Sequence, residues 1–323
     1  MRLHVDIEKD LRDFRLKVAF DTDSEVFALL GASGSGKSMT LRCIAGIEKP
    51  DRGSITLGEK VLFDSASGTD LSPRERKVGY LFQDYALFPH MTVLENVRCG
   101  SAGRAEEYIE KFCLRGKENL IPAQLSGGEK QRTALARMLA ADPRLIMLDE
   151  PLSSLDSHLK TAMEAELTAA IACCGGQAVL VSHDREEIYR LADRAGVMDR
   201  GRLSCVQSKK EMFLRPASAA AAKLTGWENV IPCDRGEESH MAFRAEDVII
   251  SSSPPGEKHN RGLIFLCHAP AGSANAMEDL TGYIVRVSRG GESNIICRTA
   301  ERPDTKKEMW LYVPEERIRR FAD

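Results

Sequence analysis

The chain has 323 residues, enough for two domains with a sizeable core. Its 45 basic and 48 acidic side chains leave a net charge of −3, which excludes a general affinity for nucleic acid or for an anionic membrane surface. No apolar stretch approaches the ~20 residues needed to span a bilayer, and Met1-Arg2-Leu3-His4-Val5-Asp6 lacks the apolar core of a signal peptide, so a cytosolic chain is expected.

Residues 1–20 alternate apolar and polar (Leu3, Val5, Ile7; Phe14, Leu16, Val18, Phe20), which predicts two antiparallel strands. Glu25 to Leu30 reads as a buried strand running into glycine, and Lys37 to Ala45 as a helix stopped by Gly46. Ser54–Leu57, Lys60–Phe63 and Val78–Phe82 are β-like. Residues 104–120 read as helical and charged, and Glu129 to Ala141 as a clear helix. Then follow strand Leu145–Leu148, helix Ser157–Cys173, strand Ala178–Ser182, helix Arg185–Ala192 and strand Ala195–Met198. Such alternation predicts a parallel sheet covered by helices. The nine cysteines form no CxxC pair and are expected as reduced, packed thiols.

The character changes near Thr225-Gly226-Trp227. Beyond it, short β-like runs (Val248–Ile250, Leu263–Cys267, Gly282–Val287, Asn294–Cys297) are separated by turn residues. The expected division is a domain over 1–225 and a small β domain over 226–323.

Gly31-Ala32-Ser33-Gly34-Ser35-Gly36-Lys37-Ser38 fits the GxxxxGK[ST] phosphate loop, placed between a strand and a helix as the chemistry requires. Small residues let backbone N–H groups curl around a β-phosphate, and the following helix points its positive end at the same anion. Lys37 reaches the β- and γ-phosphates of ATP, and the Ser38 hydroxyl is placed for Mg²⁺. Leu145 to Glu150 is a buried strand ending in two carboxylates: Asp149 for Mg²⁺, Glu150 as general base. His183 ends another strand and Gln83 a third, so both can reach a site at the sheet's carboxyl edge. His183 is expected on the γ-phosphate, and Gln83 on Mg²⁺ or the attacking water.

Leu125-Ser126-Gly127-Gly128-Glu129 opens a helix, a second anion-binding end. With the phosphate loop, Gln83, Asp149-Glu150, Ser153-Ser154-Leu155-Asp156 and His183, it resembles the ATP-binding cassette of ABC transporters over residues 1–225. The resemblance implies an α/β P-loop fold: a mixed sheet with an antiparallel β subdomain and a helical subdomain. It implies a homodimer in which Ser126, Gly127, Gly128 and Glu129 of one copy cap the ATP held by Gly31, Ser33, Gly34, Ser35, Gly36, Lys37, Ser38 and Met39 of the other. Asp156 would link the two sites. Phe14 stands either as the aromatic that stacks on adenine or as an ordinary core or strand aromatic.

Asp84 to Val93 (DYALFPHMTV) looks like the stretch with which importer ATPases meet their permease, with Leu87, Phe88 and Met91 suited to a partner groove. The segment from Gln83 to Ser126 is shorter than in many sugar-importer relatives. Phe243 to Val248 (FRAEDV) resembles the stretch of importers that carry a C-terminal OB/TOBE-like β-barrel. Together with Arg74 to Gln83 and Leu155 to Lys160, it points to an importer of a small oxyanion, molybdate foremost, with sulfate, iron(III) and polyamine importers as close relatives. The partners implied are a second copy, permease subunits and, through them, a solute-binding protein, at the cytoplasmic face of the membrane. A soluble, non-transport ABC ATPase is the alternative of another class, although such proteins usually carry coiled-coil insertions or two cassettes, and neither is present here.

Overall fold

The computed structural model describes residues 1–323 except 24, 154–156, 236–237, 252–262, 270–273, 280–281, 290–292, 301–302, 306, 308 and 323. The chain divides into two compact units, Met1–Lys209 and Lys210–Asp323.

The first unit opens with β1 (Arg2–Asp10), β2 (Arg15–Asp23) and β3 (Val26–Gly31), which lead into α1 (Lys37–Ala45). Next come β4 (Arg52–Leu57), β5 (Lys60–Asp64), β6 (Thr69–Asp70), α2 (Pro73–Arg76) and β7 (Val78–Leu81). Helices α3 (Val93–Arg98), α4 (Ala105–Lys111) and α5 (Gly127–Ala140) pack together as a helical subdomain. The unit ends with β8 (Leu145–Asp149), α6 (Ser157–Cys173), β9 (Ala178–Ser182), α7 (Arg185–Leu191), β10 (Arg194–Asp199) and β11 (Arg202–Ser208).

Among the described residues these strands form one mixed sheet, ordered β6-β5-β4-β1-β2-β11-β10-β3-β9-β8-β7. One half, β7-β8-β9-β3-β10, is parallel. Strands β3, β8 and β9 are buried at every position, which is why they read as unbroken apolar runs. The other half is antiparallel but for one parallel pairing of β2 with β11, and alternation in β1 and β2 sends Leu3, Val5, Ile7, Leu16 and Val18 into the core. Each such side chain contributes roughly 1.5–3 kcal/mol by burial.

The helix expected over 104–120 stops at Lys111. Cys113 takes a left-handed φ of 53° and Gly116 one of 80°, so the chain turns back twice where a helix would continue.

The second unit holds α8 (Lys209–Leu214) and α9 (Ala219–Leu224), then β12 (Asn229–Arg235), β13 (Glu238–Phe243), β14 (Ile249–Ser251), β15 (Leu263–Ala269), β16 (Ala274–Asp279), β17 (Gly282–Arg289), β18 (Ser293–Thr299), β19 (Met309–Pro314) and β20 (Arg319–Phe321). The division falls at the first residue of α8, ahead of the expected 225/226. Ala219 and Ala222 of α9 bury against Trp227, Ala242 and Phe321, so this helix belongs with the strands that follow. Described ladders form three antiparallel three-stranded sheets, β12-β13-β20, β14-β19-β15 and β16-β17-β18. One apolar core joins them through Phe243, Leu266, Ile295, Leu311 and Val313.

Candidate functional site

Parallel pairing does the positioning. Leu30 pairs with Ser182, Asp149 with Val181, and Leu81 with Leu148, so β3, β7, β8 and β9 end together at one edge. The phosphate loop, Gln83, Glu150 and His183 leave from that edge, where open parallel sheets bind their ligands.

Gly36 caps α1 at φ 104°, a conformation that favours glycine. At Gly31 a Cβ would lie 2.5 Å from the Met198 carbonyl oxygen, so the loop can leave β3 only as glycine. The Lys37 ammonium donates to the carbonyls of Gly31 (2.7 Å) and Ala32 (2.9 Å). Burial lowers its pKa, and the carboxylates of Glu150 and Asp149 oppose that shift. Ser35 is buried beneath the loop, and its hydroxyl has no hydrogen-bond partner among the described residues.

A cavity of about 440 Å³ opens above the loop. Ser33, Gly34, Gly36, Lys37, Ser38 and Met39 form its floor. Phe14 and Leu11 make one wall, and Arg42, Gln83 and Glu150 complete it. Phe14 lies over Gly201, where a Cβ would stand 2.4 Å from its ring. The ring also packs on the core from the turn just before β2, so it is a wall of the cavity and a core aromatic at once, not a strand residue.

Asp149 is buried, and both of its oxygens are engaged: Ser38 Oγ donates to Oδ1 (2.7 Å) and Tyr80 OH to Oδ2 (2.8 Å). Burial, then Asp149, raises the Tyr80 pKa, which keeps the phenol a donor. A hydroxyl, a carboxylate and the Gln83 amide are hard oxygen donors that fit Mg²⁺, an ion that takes few protein ligands beside phosphate and water. Glu150 has a left-handed φ of 49°, and the Ser153 hydroxyl donates to its carbonyl (2.9 Å). Its carboxylate accepts from Gln83 Nε2 (3.2 Å) and lies 3.2 Å from His183 Nδ1.

Ser126 caps α5 in a reciprocal box. Its Oγ accepts from Glu129 N (3.3 Å), and Glu129 Oε2 accepts from Ser126 N (2.8 Å) and Oγ (2.9 Å). Those bonds to Ser126 hold the Glu129 carboxyl down at about 2. Ser126 and Gly127 are exposed, and none of residues 126–129 lines the cavity. Asp156 lies outside the described residues.

Three residues around the cavity went unnoticed in the sequence: Leu11, Arg42 and Tyr80. Arg42 sits one helical turn after Ser38 and shares its face of α1, a spacing that could have found it. Of the expected partner surface, Phe88 is exposed, while Leu87 and Met91 are half-buried. Asn96, fully buried, donates to the carbonyls of Phe88, Met91 and Thr92 and accepts from Phe88 N, so this loop is held from beneath. Gln131 of α5 ties the loop to the chain leaving β8: it accepts from Tyr85 OH (3.3 Å) and donates to Pro151 O (3.1 Å).

The family model described as ABC transporter matches residues 16–153. An Escherichia coli protein named "Uncharacterized ABC transporter ATP-binding protein YdcT" is 37% identical over 75% of this chain and 74% of its own length. The chain belongs to the ABC transporter ATP-binding protein family. The Pyrococcus abyssi "Molybdate/tungstate import ATP-binding protein WtpC" is 36% identical over 77% of this chain and 79% of its own. The Brucella abortus "Fe(3+) ions import ATP-binding protein FbpC" is 42% identical, and the chain spans only 60% of that relative's length. A solved dimeric ATP-binding cassette, in a post-hydrolysis state with ADP and Pi, superposes with a TM-score of 0.55 at 26% identity, covering 65% of this ABC chain and 99% of that one. The first unit therefore carries the P-loop cassette fold, and the chain is an ABC-type ATPase. No helix of the described residues is long and apolar enough to cross a membrane.

Proposed function

We propose that this chain energises an ABC importer for a small oxyanion, molybdate foremost, as a homodimer docked on permease subunits at the cytoplasmic face of the membrane. The observation that carries the catalytic half is the Glu150 carboxylate held between Gln83 and His183 beside the Lys37 loop. In this reading, loop amides and the Lys37 ammonium take the phosphates, and Phe14 stacks on the adenine. Mg²⁺, held by Ser38, Gln83 and, through water, Asp149, would neutralise charge on the β- and γ-phosphate oxygens. Glu150 accepts a proton as water attacks the γ-phosphorus, and the bond to the ADP oxygen breaks. His183 contacts the γ-phosphate and holds Glu150 in line.

Ser126 and the free amides that open α5 then serve the partner copy's ATP, with Asp156 joining the two sites across the interface. Replacing Ser126 by arginine should abolish hydrolysis by about 10²-fold or more and leave ATP binding to the single chain intact, as measured by nucleotide fluorescence and phosphate release. Full activity in that variant would remove the sandwich. An OB/TOBE-like closure of the β domain is part of the same proposal.

Relatives named for molybdate/tungstate, for sulfate/thiosulfate and for Fe³⁺ import support an oxyanion or metal cargo. Deleting the gene in its native cell should cut uptake of trace radiolabelled molybdate. Loss of sulfate, iron or polyamine uptake instead would reassign the cargo, and unchanged uptake of all four would favour a non-transport ATPase.

A further inference from the structure

Helix α7 carries a carboxylate where a solvated one would serve. Glu187 lies in its first turn, and a negative charge there suits the helix dipole. Yet Glu187 is only 4% exposed, and its Oε1 has no hydrogen-bond partner among the described residues. Burying a carboxyl costs free energy unless its contacts return it. Its one strong contact is with Ser182, the last residue of β9, whose Oγ donates to Oε2 at 2.6 Å. That Oγ also accepts from Asp184 N at 2.9 Å. His183 therefore stands between two residues that share one hydroxyl, and Glu187 orients that hydroxyl. The imidazole so presented lies 3.2 Å from Glu150.

We propose that Glu187 is a positioning residue for ATP hydrolysis: through the Ser182 hydroxyl it fixes the turn that aims His183 at Glu150. The inference rests on the reading of His183 and Glu150 given above. Burial pushes the Glu187 carboxyl up to about 7; the Ser182 hydrogen bond opposes this and Asp184 adds to it. Lys160 and Glu164 face it from α6, Asp184 from its own turn, and Glu186 and Arg190 lie along α7. Strand β3, which also packs on α7, is apolar throughout.

The test is steady-state hydrolysis by the full chain. Glu187→Leu should lower kcat by about tenfold or more with KM for ATP within about twofold, the pattern of a group that acts through the reacting residues. Ser182→Ala should fall similarly, and the double variant should be no worse than the poorer single, because one linkage is cut either way. Glu187→Gln keeps an acceptor for the hydroxyl, so its kcat should stay within about threefold of wild type. Its pH profile should lack a limb near neutrality that wild type shows, since the ionised carboxylate makes the stronger bond. Wild-type kcat in Glu187→Leu would overturn the proposal. Should that variant not fold, a Glu187→Gln profile identical to wild type would do so. His183→Ala separates the two levels. Its loss of hydrolysis beside an active Glu187→Leu defeats only the positioning role, whereas full activity in His183→Ala defeats the site reading itself.

Discussion

Glu150→Gln should lower kcat for ATP hydrolysis by roughly 10²–10⁴-fold, the range associated with removing a positioned general base, with ATP affinity retained or increased. Glutamine keeps the size and shape of the side chain, so the left-handed backbone at this position and its Ser153 contact can persist. The lost property is chemical: an amide cannot take the proton that attacking water must shed. A second consequence follows from charge. The carboxylate stands at the cavity that would hold the γ-phosphate, so neutralising it removes a repulsion that opposes the ATP-bound, closed state. With hydrolysis blocked and closure favoured, the variant should elute as a dimer with ATP and as a monomer without it. Nucleotide binding by fluorescence, phosphate release and light scattering check the three parts. A variant that hydrolyses at the wild-type rate would displace Glu150 as base, and one that stays monomeric at saturating ATP would break the two-copy site.

What the sequence revealed of this site follows from where its constraints lie. The phosphate loop was legible because its geometry needs small residues at fixed spacing: Gly36 is required by its own backbone conformation, while Gly31 must also clear the Met198 carbonyl of β10. Helices Lys37–Ala45 and Ser157–Cys173 and strand Ala178–Ser182 begin and end where capping and apolar runs place them. Tyr80 was not legible. Its bond to Asp149 exists because β7 pairs with β8 in parallel, and the chain between the two strands includes the whole helical subdomain. Strand β11 also escaped, because it lacks a buried, alternating face: none of its side chains is buried. The overlong helix at 104–120 has the opposite cause. Charge and apolar residues there suit a helix, but the reversals at Cys113 and Gly116 depend on backbone conformation that only glycine signals. Glu187 looked like one more acid in a charged helical turn, and its burial is a tertiary fact.

The largest loss of stability is expected from Arg76→Leu, about 2–4 kcal/mol, the cost of taking a buried donor away from helix carbonyls. The Arg76 guanidinium is fully enclosed. Its Nη1 donates to the carbonyls of Cys43 (2.8 Å) and Ile44 (2.9 Å), in the last turn of α1. Its Nε donates to Leu71 O (2.8 Å), and Nη2 to Asp70 Oδ1 (3.0 Å). Helix carbonyls at a C-terminus have no partner within the helix, so this side chain supplies one and places a cation where the dipole is negative. Burial lowers the Arg76 pKa and Asp70 opposes it, so the pair is held together rather than simply tolerated. Gly46 makes room, since a Cβ there would fall 2.5 Å from Nε. Leucine would fill part of the space and take this donor from the carbonyls of Cys43, Ile44 and Leu71, leaving Cys43 O with Gly46 N and Asp70 with Lys49. Lysine would reach only some of these acceptors and should cost less than leucine but more than nothing. If α1 presents its other end to the phosphates as proposed, a loosened C-terminus should also raise KM for ATP in the surviving folded fraction. Urea unfolding with an unchanged slope measures the first effect. A midpoint shift worth under about 1 kcal/mol would mean that water replaces the guanidinium at these carbonyls, and that the phosphate-binding helix is anchored by β3 packing alone.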